Sequence, residues 1–193
     1  VWYTIGARQK GKMGGLDYRV EFYHQFGDAG IVGTDTGMGI SGVSETGDSV
    51  DRDAQMFGIR VGKTFKNASG SPTITLWYDH LSGMDDDDVT AGEFGAFDTM
   101  YDTGHKFYGL QDFYLHREGA RSMYLGLQDI AIKFKASPKP GWTVKADWHH
   151  FRTQTQIDGG DANTVIATDA TIGSATGADP DLGQELDLTL VHP

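Results

Sequence analysis

Apolar and polar residues alternate with a period of two through seven stretches of the chain. In 16–26 one parity reads Leu16, Tyr18, Val20, Phe22, His24, Phe26, and the other Asp17, Arg19, Glu21, Tyr23, Gln25. Successive side chains of a strand point to opposite faces, so this stretch has one largely apolar and one charged face. The same holds for 1–9, where Val1, Tyr3, Ile5 and Ala7 oppose Thr4, Gly6 and Arg8. In 54–65, Phe57, Ile59 and Val61 oppose Gly58, Arg60 and Thr64, and in 72–82 Ile74, Leu76 and Tyr78 oppose Thr75, Trp77 and Asp79. Segment 122–136 becomes regular only late, with Ile130, Ile132 and Phe134 against Asp129, Lys133 and Lys135. Segment 142–152 sets Trp142, Val144, Ala146 and Trp148 against Thr143, Lys145, Asp147 and His149, and 185–192 sets Leu186, Leu188 and Leu190 against Glu185, Asp187 and Thr189. A water-soluble sheet would bury the apolar set under a second layer. A membrane barrel turns it to lipid and faces the charged set into a wet lumen.

The connections favour the barrel. They alternate short and long: 10–15, 66–71 and 137–141 are short, whereas 27–53, 83–121 and 153–184 are long and rich in Gly, Asp, Ser and Thr. Outer-membrane barrels keep this rhythm, with short periplasmic turns and long extracellular loops, whereas long irregular loops are uncommon in compact soluble domains. The fold class expected is therefore all-β, a transmembrane antiparallel up-and-down β-barrel in the bacterial outer membrane, with the lipid of that membrane as its first partner. Trp142 and Trp148, on the lipid-facing parity near the two ends of one strand, suit interfacial rings.

Composition adjusts this picture little. The 27 glycines against five prolines, the 11% aromatic content and the absence of cysteine suit a β protein without disulfides or thiolate sites. Charge is more informative. The three long loops hold 20 of the 27 acids and four of the 16 bases. Accessible loops so acidic would repel phosphate, which argues against a nucleic-acid partner. They suit a solvated surface, or a contact with cations or with an extracellular protein partner; a periplasmic partner at the turns is the other candidate. Lys10, Lys12, Lys66 and Lys139 are expected in those turns. Seven strands cannot close a bacterial barrel, which has an even number, so residues 1–193 are expected to be one partial barrel domain with strands missing at one or both ends.

Three blocks carry a family resemblance: Thr103-Gly104-His105-Lys106-Phe107-Tyr108-Gly109-Leu110-Gln111-Asp112, Lys139-Pro140-Gly141-Trp142-Thr143-Val144-Lys145-Ala146-Asp147-Trp148-His149-His150-Phe151, and Leu182-Gly183-Gln184-Glu185-Leu186-Asp187-Leu188. In this order they resemble the alginate export family of outer-membrane porins. The resemblance implies a larger barrel of about 18 strands, this piece lying towards its C-terminal end. It also implies export by diffusion through a constriction rich in basic residues, and it makes His105, Lys106, Tyr108, Gly109 and Asp112 the family's motif loop. The inward parity departs from a basic constriction: Arg8, Arg19, Arg60, Lys133, Lys135 and Lys145 meet Asp17, Glu21, Asp79, Asp129, Asp147, Glu185 and Asp187. The solute expected is hydrophilic, with anionic polysaccharide as one candidate. Arg19 and Arg60 would give a modest anion bias, opposed by Asp17 and Glu21. A structural barrel whose acidic loops bind a partner or cations is the alternative.

The pore-lining set expected is thus Arg8, Asp17, Arg19, Glu21, Arg60, Asp79, Asp129, Lys133, Lys145, Asp147 and His149. Asp147 and His149 lie two apart on one strand face, a spacing open to general-base hydrolysis. No nucleophile elbow or zinc-protease motif accompanies them, and a lumen-lining pair without catalysis is the expectation. Asp85–Asp88 offers oxygen ligands to Ca²⁺ but lacks the spacing of a calcium loop; no cofactor is expected otherwise. Segment 105–115 reads as partly extended but cannot cross the membrane, since one more crossing would put the next short turn on the wrong side. It is expected to fold into the lumen as a constriction, to cap the mouth, or to run outside.

Overall fold

A computed structural model of the chain describes residues 1–28, 51–83, 88, 93–99, 107–112, 125–155 and 180–192. Its elements are strands: β1 (Trp2–Met13), β2 (Leu16–Asp28), β3 (Asp51–Thr64), β4 (Thr73–Leu81), β5 (Glu93–Phe94), β6 (Leu127–Ala136), β7 (Thr143–Arg152) and β8 (Asp181–Val191). They form one sheet in the order β1-β2-β3-β4-β6-β7-β8, every neighbour antiparallel. The sheet is all-β, up-and-down and not closed on itself, with β1 and β8 at its edges.

The seven expected strands form, with shifted limits. β1 runs on to Met13, so Lys10 and Lys12 belong to the strand instead of a turn. The hairpin closes on Gly14 and Gly15 alone, at φ 58° and 80°. Two consecutive left-handed residues make the turn whose twist matches that of the flanking strands, and glycine adopts it without steric cost. β5 was not foreseen. It pairs parallel with β3 through Asp51–Glu93 and Arg52–Phe94. β4 stops at Leu81 opposite Met56, leaving the end of β3 open on that side, and β5 fills it.

The parity of every strand is as expected. On one face Phe22, Phe57, Ile74, Leu76, Ile130, Ile132, Leu186 and Leu188 are exposed; on the other Glu21, Arg60, Asp79, Asp129, His149 and Glu185 are buried. That is the inverse of a soluble sheet and is what lipid outside and a polar interior require. Aromatic residues flank the aliphatic band at both ends. Towards the long loops stand Tyr3 with Phe26 and Tyr78 with His80, and towards the short turns Phe65 beside Lys63 and Trp142 beside His192. Such girdles mark the two interfaces of a membrane barrel.

Candidate functional site

The buried polar face divides into three layers. At the loop end it is apolar. Ala54, Met56, Leu81, Leu127 and Phe151 form a small core there, completed by Phe97 and Tyr108 from the connection between β4 and β6. The described parts of that connection, 93–99 and 107–112, therefore lie against the inner side of the sheet, whereas the rest of the expected segment 105–115 lies outside the described residues.

Two clamps hold it. In the first, Gln25 donates to the Asp98 carbonyl at 2.6 Å and accepts from the Asp98 N–H at 2.9 Å. Arg52 donates to Gln25 and to the Ala96 carbonyl, each at 3.2 Å, with its guanidinium between the rings of Trp2 and Phe94. In the second, the Glu185 carboxylate accepts the backbone N–H groups of Leu110 and Gln111 at 2.8 and 2.9 Å, and Asp187 accepts that of Leu110 at 3.1 Å. Charge-assisted bonds to backbone N–H groups are among the stronger ones available. Left-handed residues shape this turn: Tyr108 at φ 55°, Gly109 at 85° and Asp112 at 52°. A Cβ on Gly109 would meet the end of the Glu185 side chain, which can shift, but a φ of 85° is one that other residues rarely adopt, so the turn favours glycine there. Of the motif loop, Tyr108, Gly109 and Asp112 are thus placed, whereas His105 and Lys106 lie outside the described residues.

The middle layer is ionic. Asp79 and Asp129 stand directly opposite each other on β4 and β6, both with 0% exposure. Like charges so placed repel unless each is answered. Arg60 answers Asp79 with Nη2, 3.2 Å from both carboxylate oxygens, and donates through Nη1 to Glu21 at 2.6 Å. Its guanidinium lies 3.5 Å from the Trp77 ring centre, and the Trp77 N–H donates to Asp79 at 2.8 Å. Arg19 adds a second donor to Glu21 at 2.6 Å. Asp129 is answered by His149, whose Nδ1 lies 2.9 and 3.0 Å from its oxygens. Lys133 Nζ approaches His149 Nε2 at 3.1 Å and Asp147 at 3.5 Å. An ammonium can only donate, so Nε2 accepts and the ring proton sits on Nδ1, facing Asp129. Tyr108 covers this layer. Its burial, with Asp79 and Asp129 close by, pushes the phenol well above its ordinary value.

These contacts alter two sequence expectations. His149 takes Asp129 as its acid, not Asp147, because the diagonal cross-strand neighbour reaches the ring nitrogen. Both of its ring nitrogens are engaged, Nδ1 by Asp129 and Nε2 by Lys133. Arg19 and Arg60, expected to bias permeation, both end on Glu21; Asp17 instead pairs with Lys12 at 2.9 Å.

The turn-end layer is the open one. Lys10, Lys12, Asp17, Arg19, Arg60 and Thr75 border a recess of about 460 Å³. Beyond it Lys135 and Lys145 face each other across β6 and β7, both exposed, a like-charge pair with no acidic partner among the described residues. Arg8 lies on the same face of β1, opposite Glu21. All eleven expected pore-lining residues therefore share one face of the sheet. Sequence reasoning missed Gln25, Arg52 and Trp77 as structural anchors; the first and last stand on the inward parity, whereas Arg52 had been placed in a loop. Asp85–Asp87 lie outside the described residues. Among the described residues, no cluster of three or more His, Asp or Glu is placed to hold a metal.

A family model described as alginate export matches residues 2–192. No curated protein matches the chain.

Proposed function

The chain belongs to the alginate export family, and on that premise we propose that it forms part of the wall of an outer-membrane channel that passes hydrophilic solutes by passive diffusion. The observation that carries this reading is the inverted sheet, with aliphatic side chains exposed on one face and ion pairs buried on the other. A wet lumen is the environment in which a face so charged is stable beside lipid. The layer order gives the lumen a direction. Cations stand at the turn end, in the periplasm of such a barrel, and the inward segments 93–99 and 107–112 narrow it towards the loop end.

An anion bias follows from the free charges alone. Glu21 and Asp79 absorb Arg60, whereas Lys135 and Lys145 are exposed and face one another. Fixed cations in a low-dielectric passage concentrate anions near them, and anionic polysaccharide is the solute class that the bias fits. Replacing both lysines with glutamine should move the reversal potential of the full-length channel towards cation preference in a salt gradient. The shift should shrink in concentrated salt, where screening shortens to about 3 Å at 1 M. No shift in an open channel would remove the anionic solute while leaving the passive pore. The second reading, a structural barrel closed by its loops with acidic loops that bind a partner or cations, is favoured by the double clamp on the inward segments; it predicts a silent barrel.

A further inference from the structure

The inward face carries its charge unevenly along the strands. Within three residues of the turn-side limits of β1, β2, β6 and β7, the inward positions hold Lys10, Lys12, Arg19, Lys133, Lys135 and Lys145 against one carboxylate, Asp17. The matching positions of β3, β4 and β8 are Gly62, Thr64, Thr73, Thr75, Thr189 and Val191, none of them ionisable. Lys10, Lys12, Lys135 and Lys145 are exposed, so their charges stand at the water of the lumen. Farther towards the loops the sign reverses. There Glu21, Asp79, Asp129, Asp147, Glu185 and Asp187 outnumber Arg8, Arg52 and Arg60. His149 adds no positive charge, since its Nε2 accepts from Lys133. Glu185 and Asp187 accept backbone N–H groups, which leaves their negative charges in place. The long loops that join the strands at this end, 27–53, 83–121 and 153–184, hold 20 of the 27 acids of the sequence.

The cluster of Arg19, Arg60, Glu21 and Asp79 is balanced within itself and stands between the two zones. Without it the excess is still positive at the turn end and negative at the loop end. Fixed charges of opposite sign in series act on both mobile ions. The turn end gathers anions and the loop end gathers cations, because charged walls of low dielectric concentrate their counter-ions. A voltage positive at the loop side drives anions inward from the turn end and cations inward from the loop end. Both then fill the middle of the lumen. The opposite voltage draws each ion back through its own mouth and leaves the middle depleted.

We propose that this face makes the channel a rectifier, which passes more current with the loop side positive than with the turn side positive. Under equal and opposite driving forces, anions then move more readily from the turn end to the loop end than back. The proposal rests on the channel reading. The test records single channels of the full-length protein in symmetric potassium chloride at about 0.1 M, where screening extends about 10 Å. A Ser69→Cys background gives the orientation, since its turn-side thiol takes a large maleimide-polyethylene glycol from one chamber only. The currents at equal and opposite voltages should differ about twofold or more, because one kT of potential changes a local ion concentration about threefold. The ratio should approach unity at about 1 M salt, where screening shortens to about 3 Å. Lys10→Gln, Lys135→Gln and Lys145→Gln together should remove most of the asymmetry. Lys10→Glu, Lys135→Glu and Lys145→Glu should reverse it, whereas arginine at the three positions should keep it. Equal currents in both directions in the wild type overturn the rectifier. So does a ratio that the glutamine variant leaves unchanged, which puts the asymmetry elsewhere in the barrel, or one that persists in concentrated salt, which a moving segment would produce. A wild type that inserts and does not conduct would instead overturn the channel reading beneath it.

Discussion

Replacing Arg60 with alanine is expected to destabilise the barrel by about 3–5 kcal/mol, the cost of leaving buried charges without their partner. Glu21 and Asp79 would both lose a guanidinium donor at 3% and 0% exposure, and Trp77 its stacked cation. Lysine would not restore the loss, because one ammonium cannot bridge two carboxylates and lie flat on an indole. Arg19→Gln removes one bond from a residue 29% exposed and should cost less than about 1 kcal/mol. Combining Arg60→Ala with Asp79→Asn should be milder than Arg60→Ala alone, since it removes a carboxylate that the arginine had answered. Reversible urea unfolding of the full-length protein in micelles measures all four. Equal, small effects of Arg60→Ala and Arg19→Gln would mean that water reaches this layer freely.

Arginine at Ile132 is expected to cost about 2–4 kcal/mol, the penalty of a cation on the lipid face near the midplane. Ile132 is 45% exposed, opposite Leu76 and Trp148 on the apolar face. Val20 and Ile59, paired with each other on the same face, should behave alike. Thr75 and Thr143 lie on the opposite parity, where arginine meets the lumen, and should tolerate it. The same unfolding assay separates the two groups. Similar penalties for both would reverse the inside and the outside of the sheet.

What the sequence disclosed, and what it withheld, follows from the range of each interaction. Strand identity and facing were legible because alternation is a local property: Leu16 to Phe26 announces β2 without reference to any neighbour. Strand limits were less so. Lys10 and Lys12 look like turn residues, yet two glycines suffice to close the hairpin and the lysines stay in β1. The partners within the site were least legible, because they depend on register. That Asp129 reaches His149, that Glu21 takes both Arg19 and Arg60, and that Lys135 faces Lys145 are consequences of which residues stand opposite across two strand pairs. β5 carries no alternation to announce it; two residues pair where β3 is left open and Arg52 meets Phe94. Met56, Leu81, Leu127 and Phe151 stand on the inward parity, but the apolar layer they form at the loop end appears only once Phe97 and Tyr108 fold onto it.

Single-channel recording of the full-length protein in planar bilayers tests most directly whether the charged face lines a conducting lumen. The wild type is expected to give discrete steps of constant conductance. Gly109→Ala, which strains a turn at φ 85° and displaces the Glu185 carboxylate, and Glu185→Gln, which weakens the bonds to Leu110 and Gln111, should each raise the conductance or add noise as the inward segment leaves the wall. A correctly folded, membrane-inserted protein that stays silent, in the wild type and in both variants, would contradict the channel and leave a structural barrel in its place.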